Sequence, residues 1–128
     1  MPKGVFKEAF KDIVGDEAVP KVIRGMLRGL MPTLALSKCG DLSKGMEDPY
    51  RHTGACIRRG LKYIFKAIQY GIQGNKKGVE RAIRKFKEIT GLDTSEAIKA
   101  IEEGLRKQKF PDDQIARIMD VIRKAITE

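Results

Sequence analysis

The chain has 128 residues, with 26 Lys or Arg against 17 Asp or Glu and a formal net charge of +9. That length supports one hydrophobic core and excludes two comfortable ones, so a single domain over residues 1–128 is expected. The longest apolar run, GLMPTLAL from Gly29 to Leu36, is too short for a bilayer span, and MPKGVFKEAF lacks the apolar centre of a secretory leader, so an intracellular protein with no membrane partner is expected.

The charge is uneven. Residues 1–40 carry seven basic and four acidic side chains, residues 41–91 twelve and five, and residues 92–128 seven and eight. A charge serving solubility alone would be spread along the chain. Concentration in the middle third points to a polyanionic partner. The Lys-, Glu-, Arg- and Ile-rich composition is also of a thermophilic type.

Helical periodicity runs through nearly the whole chain, and alternating strand patterns are absent. Phe6, Phe10 and Ile13 mark a first helix, which Gly15 can close in a left-handed conformation. Val19, Ile23, Leu27, Leu30 and Leu34 mark a second, with Pro20 tolerated in its first turn and Pro32 expected to kink or break its last. Residues 39–54, CGDLSKGMEDPYRHTG, have no periodicity and read as the one long loop. CIRRGLKYIFKAIQYG, residues 56–71, is the third helix, with Ile57, Leu61, Ile64 and Ile68 as its core stripe. Asn75 is placed to cap the fourth, whose Val79, Ala82, Ile83, Phe86 and Ile89 face inward and which Gly91 ends. Asp93 and Glu96 have capping-box spacing before Ile98, Ile101 and Leu105. A last helix opens at Pro111-Asp112-Asp113, where the helix dipole favours anions, and carries Ile115, Ile118, Met119, Ile122 and Ile126. The expected fold is a compact all-α bundle of about six helices.

The feature that asks for a function is the second stripe of the third helix. Arg58, Lys62 and Lys66 recur every four residues with no acid between them, and Arg59 sits beside them. The next helix adds Lys76, Lys77, Arg81, Arg84 and Lys85, and the second helix adds Arg24 and Arg28. Any one of these side chains is accounted for by an apolar stem lying along the core with its charge in water. Together they make three basic faces, the usual means of holding a phosphate backbone with little sequence information. Tyr63 and Tyr70, on the same flank, are candidates for stacking unpaired bases or for core burial.

Other chemistry is thin. Two cysteines make no disulfide framework and are not spaced as CxxC. Cys39, His52 and Cys56, even with Asp41, fall short of a good zinc set, and buried structural cysteines are expected instead. His52 lies one turn from Cys56 but has no third group to orient it, Ser37, Ser43 and Ser95 have no other histidine to activate them, and no Gly-rich phosphate loop exists. No enzyme activity, metal or cofactor is expected. Gly25 and Gly29 have the small-xxx-small spacing of a tight helix crossing or of a seat for a neighbouring subunit. The near-neutral last two helices, with Ala116 and Val121 off the main stripe, offer another possible protein contact.

In the second helix, Pro20-x-x-Ile23, Gly29-Leu30, Thr33-Leu34-Ala35-Leu36 and Lys38 together resemble a segment of the small helical subunits of type III CRISPR effector complexes. The resemblance covers residues 20–38. It departs in a longer Ile-to-Gly interval and in Leu36, where those subunits carry an aromatic. It implies a non-catalytic subunit, present in several copies alongside other effector subunits, that contacts DNA or RNA backbone while a guide RNA reads sequence. Two other classes suit the same basic faces. A DNA-packaging protein, chromatin-like or a filamentous-virus coat, would bind duplex and self-assemble, and a protein-interaction module would meet an acidic partner.

Overall fold

The computed structural model describes residues 3–42 and 49–127. Among them are seven α-helices and no strand: α1 Lys3–Val14, α2 Val19–Ala35, α3 Lys38–Leu42, α4 Pro49–Ile72, α5 Lys76–Thr90, α6 Thr94–Lys107 and α7 Asp112–Thr127, with a 3-10 turn at Asp16–Ala18. The all-α expectation holds.

Most helix ends follow from local chemistry. Asn75 Oδ1 accepts the Gly78 amide at 2.9 Å to start α5, and Gly91 ends it at φ 73°, the left-handed conformation that costs glycine nothing. The capping box of α6 is complete, with the Glu96 amide donating to Asp93 at 3.0 Å and the Asp93 amide donating to Glu96 at 3.2 Å. The Ser95 hydroxyl and the Glu96 amide hold the Asp93 carboxyl below the usual carboxylate range.

Three expectations are corrected. Gly15 has the positive φ foreseen for it, 87°, but with ψ 153° it lies in the positive-φ region essentially confined to glycine rather than in the left-handed helical one, and the chain continues into the 3-10 turn. Pro32 does not break α2. Its exposed ring costs one amide bond, while the Leu36 amide donates to the Pro32 carbonyl at 3.1 Å and Leu30 and Leu34 hold the helix against the core. The stretch 39–54 is not a long loop. Ser37 accepts the Cys39 amide and so opens the five-residue α3, and α4 begins at Pro49, whose missing N–H belongs to a first-turn position that has no partner to lose. Residues 43–48 of that stretch, Ser43 included, lie outside the described residues.

Packing arranges α6, α2, α4 and α5 side by side, with α1 and α7 laid against their inner side. The buried side chains form one contiguous cluster that includes Phe6, Phe10, Met26, Leu30, Ile64 and Phe86. The Phe6 ring meets the Phe65 ring edge-on at 5.7 Å between centroids. Backbones meet directly between α4 and α7, where a Cβ on Gly71 would lie 1.9 Å from the Ala125 carbonyl oxygen, and between α2 and α6. A Cβ on Gly29 would lie 1.8 Å from the Ala100 carbonyl oxygen, and one on Gly104 would lie 1.9 Å from the Gly25 carbonyl oxygen. The Gly25/Gly29 pair is therefore a tight internal crossing, and its counterpart is Ala100 with Gly104.

Gly29→Ala is expected to destabilise the fold by at least about 3 kcal/mol, because the new methyl meets backbone that cannot rotate away. Gly4→Ala, with nothing within 4 Å of the new methyl, should stay within about 1 kcal/mol and on the stabilising side. Denaturant melts of both variants check the contrast. A second test concerns Asp93. Because its folded pKa is depressed, its contribution is present above the unfolded value and lost as pH falls through the folded one, so the melting difference between wild type and Asp93→Asn should shrink toward zero in acid.

Candidate nucleic-acid interface

The sequences of α2 and α4 contain no carboxylate. Their cations therefore have no partner on their own helix. What matters is whether the fold brings carboxylates to them from elsewhere.

Two close contacts fix how α4 and α5 lie together. A Cβ on Gly78 would fall 2.7 Å from the Tyr70 ring, and Cys56 Sγ lies 3.7 Å from the Ile89 carbonyl oxygen. The helices are thus antiparallel, and this register sets Lys66 level with Arg81 and Tyr63 level with Lys85. Arg59, Tyr63, Lys66 and Tyr70 form one row at helical spacing along α4. Gly78, Arg81, Lys85 and Ile89 form the facing row of α5. Gly60 lies between the neighbours on either side: its Cβ would come within 2.9 Å of Thr90 on α5 and 3.2 Å of Leu34 on α2. The outward row of α4, Arg58 and Lys62, consequently sits between α2 and α5.

The structure brings Arg58, Arg59, Lys62, Lys66, Arg81 and Lys85 onto one side of the layer, all exposed except the half-buried Lys66. Arg24 and Arg28 project outward from α2 across a groove. Lys77 and Arg84 occupy a row further out on α5. Lys76 stands apart, lining a cleft between α5 and α7 with Glu80 and Lys124. Tyr63 and Tyr70 are half-buried against the core, and Lys62 Nζ stands 5.5 Å from the Tyr63 ring centroid.

Among the described residues, several carboxylates are engaged elsewhere. Glu102 holds Arg106 and Arg123, each at 3.3 Å, Asp112 holds Arg106 at 3.3 Å, and Asp120 holds Lys124 at 3.3 Å. Three acids of the C-terminal third thus pair with cations of the same third. Lys85 alone in the basic set has such a neighbour, Glu88 at 3.8 Å, and both side chains are more than half exposed, so the pair adds little.

The groove beside Arg24 and Arg28 has a volume of about 580 Å³. Ile23 and Leu27 of α2 and Leu61 and Phe65 of α4 line its apolar part, with Lys62, Lys66, Gln69 and Tyr70 also on its walls. The sequence reading placed Ile23, Leu27 and Leu61 on core stripes and did not foresee the groove. Their position at the edge of those stripes, beside the cations, was the available signal.

The cysteines correct another expectation. Cys39 and Cys56 form a disulfide, joining α3 to α4 two residues before Arg58. In this state neither sulfur is a thiolate, so neither serves as metal ligand or nucleophile, and His52 is an exposed side chain. No group of three or more potential metal ligands occurs among the described residues, and none of their helices is long and apolar enough to cross a membrane. Lys38 Nζ donates to the Glu88 carbonyl at 3.3 Å, tying the same corner to α5.

No family model matches this chain, and no curated protein or solved structure matches it.

Closing a loop of 17 residues, the disulfide should contribute about 3 kcal/mol. A dithiol reductant, or Cys39→Ser with Cys56→Ser, is expected to lower stability by that amount in denaturant melts. Identical melts with and without reductant would show that the bridge carries no stability.

Proposed function

We propose that this protein is a non-catalytic nucleic-acid-binding subunit that holds DNA or RNA by its backbone through the outward side of α2, α4 and α5. One observation carries the reading: α2 and α4 contain no carboxylate, and Glu102, Asp112 and Asp120 of the C-terminal third pair with cations of that third. Like charges held on one side repel one another in the free protein, screened only over about 8–10 Å at physiological salt. A polyanion turns that repulsion into attraction and releases its condensed counterions on binding.

The setting we propose is a CRISPR effector complex guided by crRNA, with this chain as its small subunit in several copies. The resemblance of residues 20–38 supports it. Leu36, where those subunits carry an aromatic, departs from the resemblance; it is 88% exposed just beyond α2. In such a complex, base pairing with the guide reads sequence, and a carboxylate-free helix face suffices for the protein's share.

Neutralising the α4 row with Arg58→Gln, Lys62→Gln and Lys66→Gln should weaken binding to single strands of every sequence alike. The slope of log affinity against log salt should fall by about two, from three lost phosphate contacts at about 0.7 each. Unchanged affinity and slope in a salt-titrated binding assay would refute the proposal. Purification of the native protein with guide RNA and effector subunits would support the CRISPR setting, and its isolation on duplex DNA alone would point to a packaging role.

A further inference from the structure

We propose that the groove between α2 and α4 is a base-binding subsite, so that the ligand on this side of the protein is a single strand with unpaired bases. This rests on the backbone-binding reading above and goes beyond it. A face built for phosphates alone needs cations on a polar surface. Here the cations border a hollow of about 580 Å³ whose floor is made by Ile23, Leu27, Leu61 and Phe65. A duplex hides the flat faces of its bases in the stack and presents sugar, phosphate and base edges, so it has no base face to put in such a hollow. An unpaired nucleotide has both parts: an apolar π-face for the floor and a phosphate for the edge.

The wall residues match that division. Lys62 and Lys66 each bring an ammonium with three donors to one side of the hollow. Gln69 offers an amide donor and acceptor suited to a base edge, and the Tyr70 ring lines the same space. The hollow does not end there. Ile23 also lines a second one of about 560 Å³ with Val19 and Pro20, where Lys7 and Arg24 supply the cations and Asp16 the one carboxylate. The two follow one another along α2, as successive nucleotides of a strand would. The positive side continues past both onto α5, further than a peptide filling only the groove would need.

The test compares a short labelled homopolymer single strand, the abasic strand of the same length, and a duplex, all at low salt with the full chain. The base-bearing strand should bind about tenfold tighter than the abasic one, or more, and tighter than the duplex. Leu27→Gln makes the floor of the groove polar without changing charge. It should bring the base-bearing strand down to the abasic affinity and leave the salt slope unchanged. The wild-type chain has no tryptophan, so its tyrosine emission gives an independent readout, quenched by the base-bearing strand and not by the abasic one. Equal affinity for the two strands would overturn the base subsite and leave backbone binding standing. Failure of both strands to bind would overturn both. Tighter duplex binding would also sink the subsite. If a glutamate-rich amphipathic peptide fills the groove and Leu27→Gln weakens that peptide alone, the groove is a protein-docking site and the base assignment falls.

Discussion

The contact on which the rest of the molecule depends is the backbone-to-backbone meeting of α2 and α6. With no side chain at Gly25, Gly29 and Gly104, the two helices approach until carbonyl oxygens occupy the space a methyl would take. That contact covers one flank of α2. The opposite flank packs on α4, where Gly60 receives Leu34. Held on both flanks and buried inward through Met26, Leu30 and Leu34, α2 has one free side, and Arg24 and Arg28 are on it. The same logic applies to α4 between α2 and α5. Side-by-side packing of helices that each keep their cations on the side away from the core produces a common basic face without any specific contact between those cations.

Such a face has an energetic cost in the unliganded protein, and the structure places the compensation elsewhere. Charge repulsion across α2, α4 and α5 is offset by a core of Phe, Ile, Leu and Met side chains and by the disulfide. Carboxylates are concentrated where their neutralisation leaves the basic side untouched. The segregation already present in the sequence is thereby preserved in three dimensions, with Glu102, Asp112 and Asp120 paired to cations of α6 and α7.

What was legible in the sequence was local. The cap at Asn75, the stop at Gly91 and the Asp93–Glu96 box each depend on residues within a few positions, and each has the expected hydrogen bonds or dihedrals. The small-residue spacing of Gly25 and Gly29 announced a close crossing but could not name α6 as its partner. Composition misled between residues 39 and 54, where Gly, Ser, Asp and Pro signalled a loop. Pro49 is equally a helix-starting residue, and Ser37 caps a short helix from outside the stretch. The pairing of Cys39 with Cys56 depends on α3 folding back beside α4, a tertiary fact that spacing alone does not encode. The cations of the candidate interface were legible as three separate faces, but their union was not, since it required the order α2, α4, α5 within one layer. The groove escaped because Ile23, Leu27 and Leu61 look like core residues until their neighbours are placed.

The bridge between Cys39 and Cys56 has a topological consequence. It turns the intervening polypeptide into a covalent ring that begins just after α2 and closes within α4, two residues before Arg58 of the candidate backbone-binding stretch. Cutting any peptide bond inside that ring leaves a nicked protein whose two fragments remain tethered. The rest of α4, from Ile57 onward, then stays attached to the N-terminal fragment even if the main chain between Cys39 and Cys56 is severed.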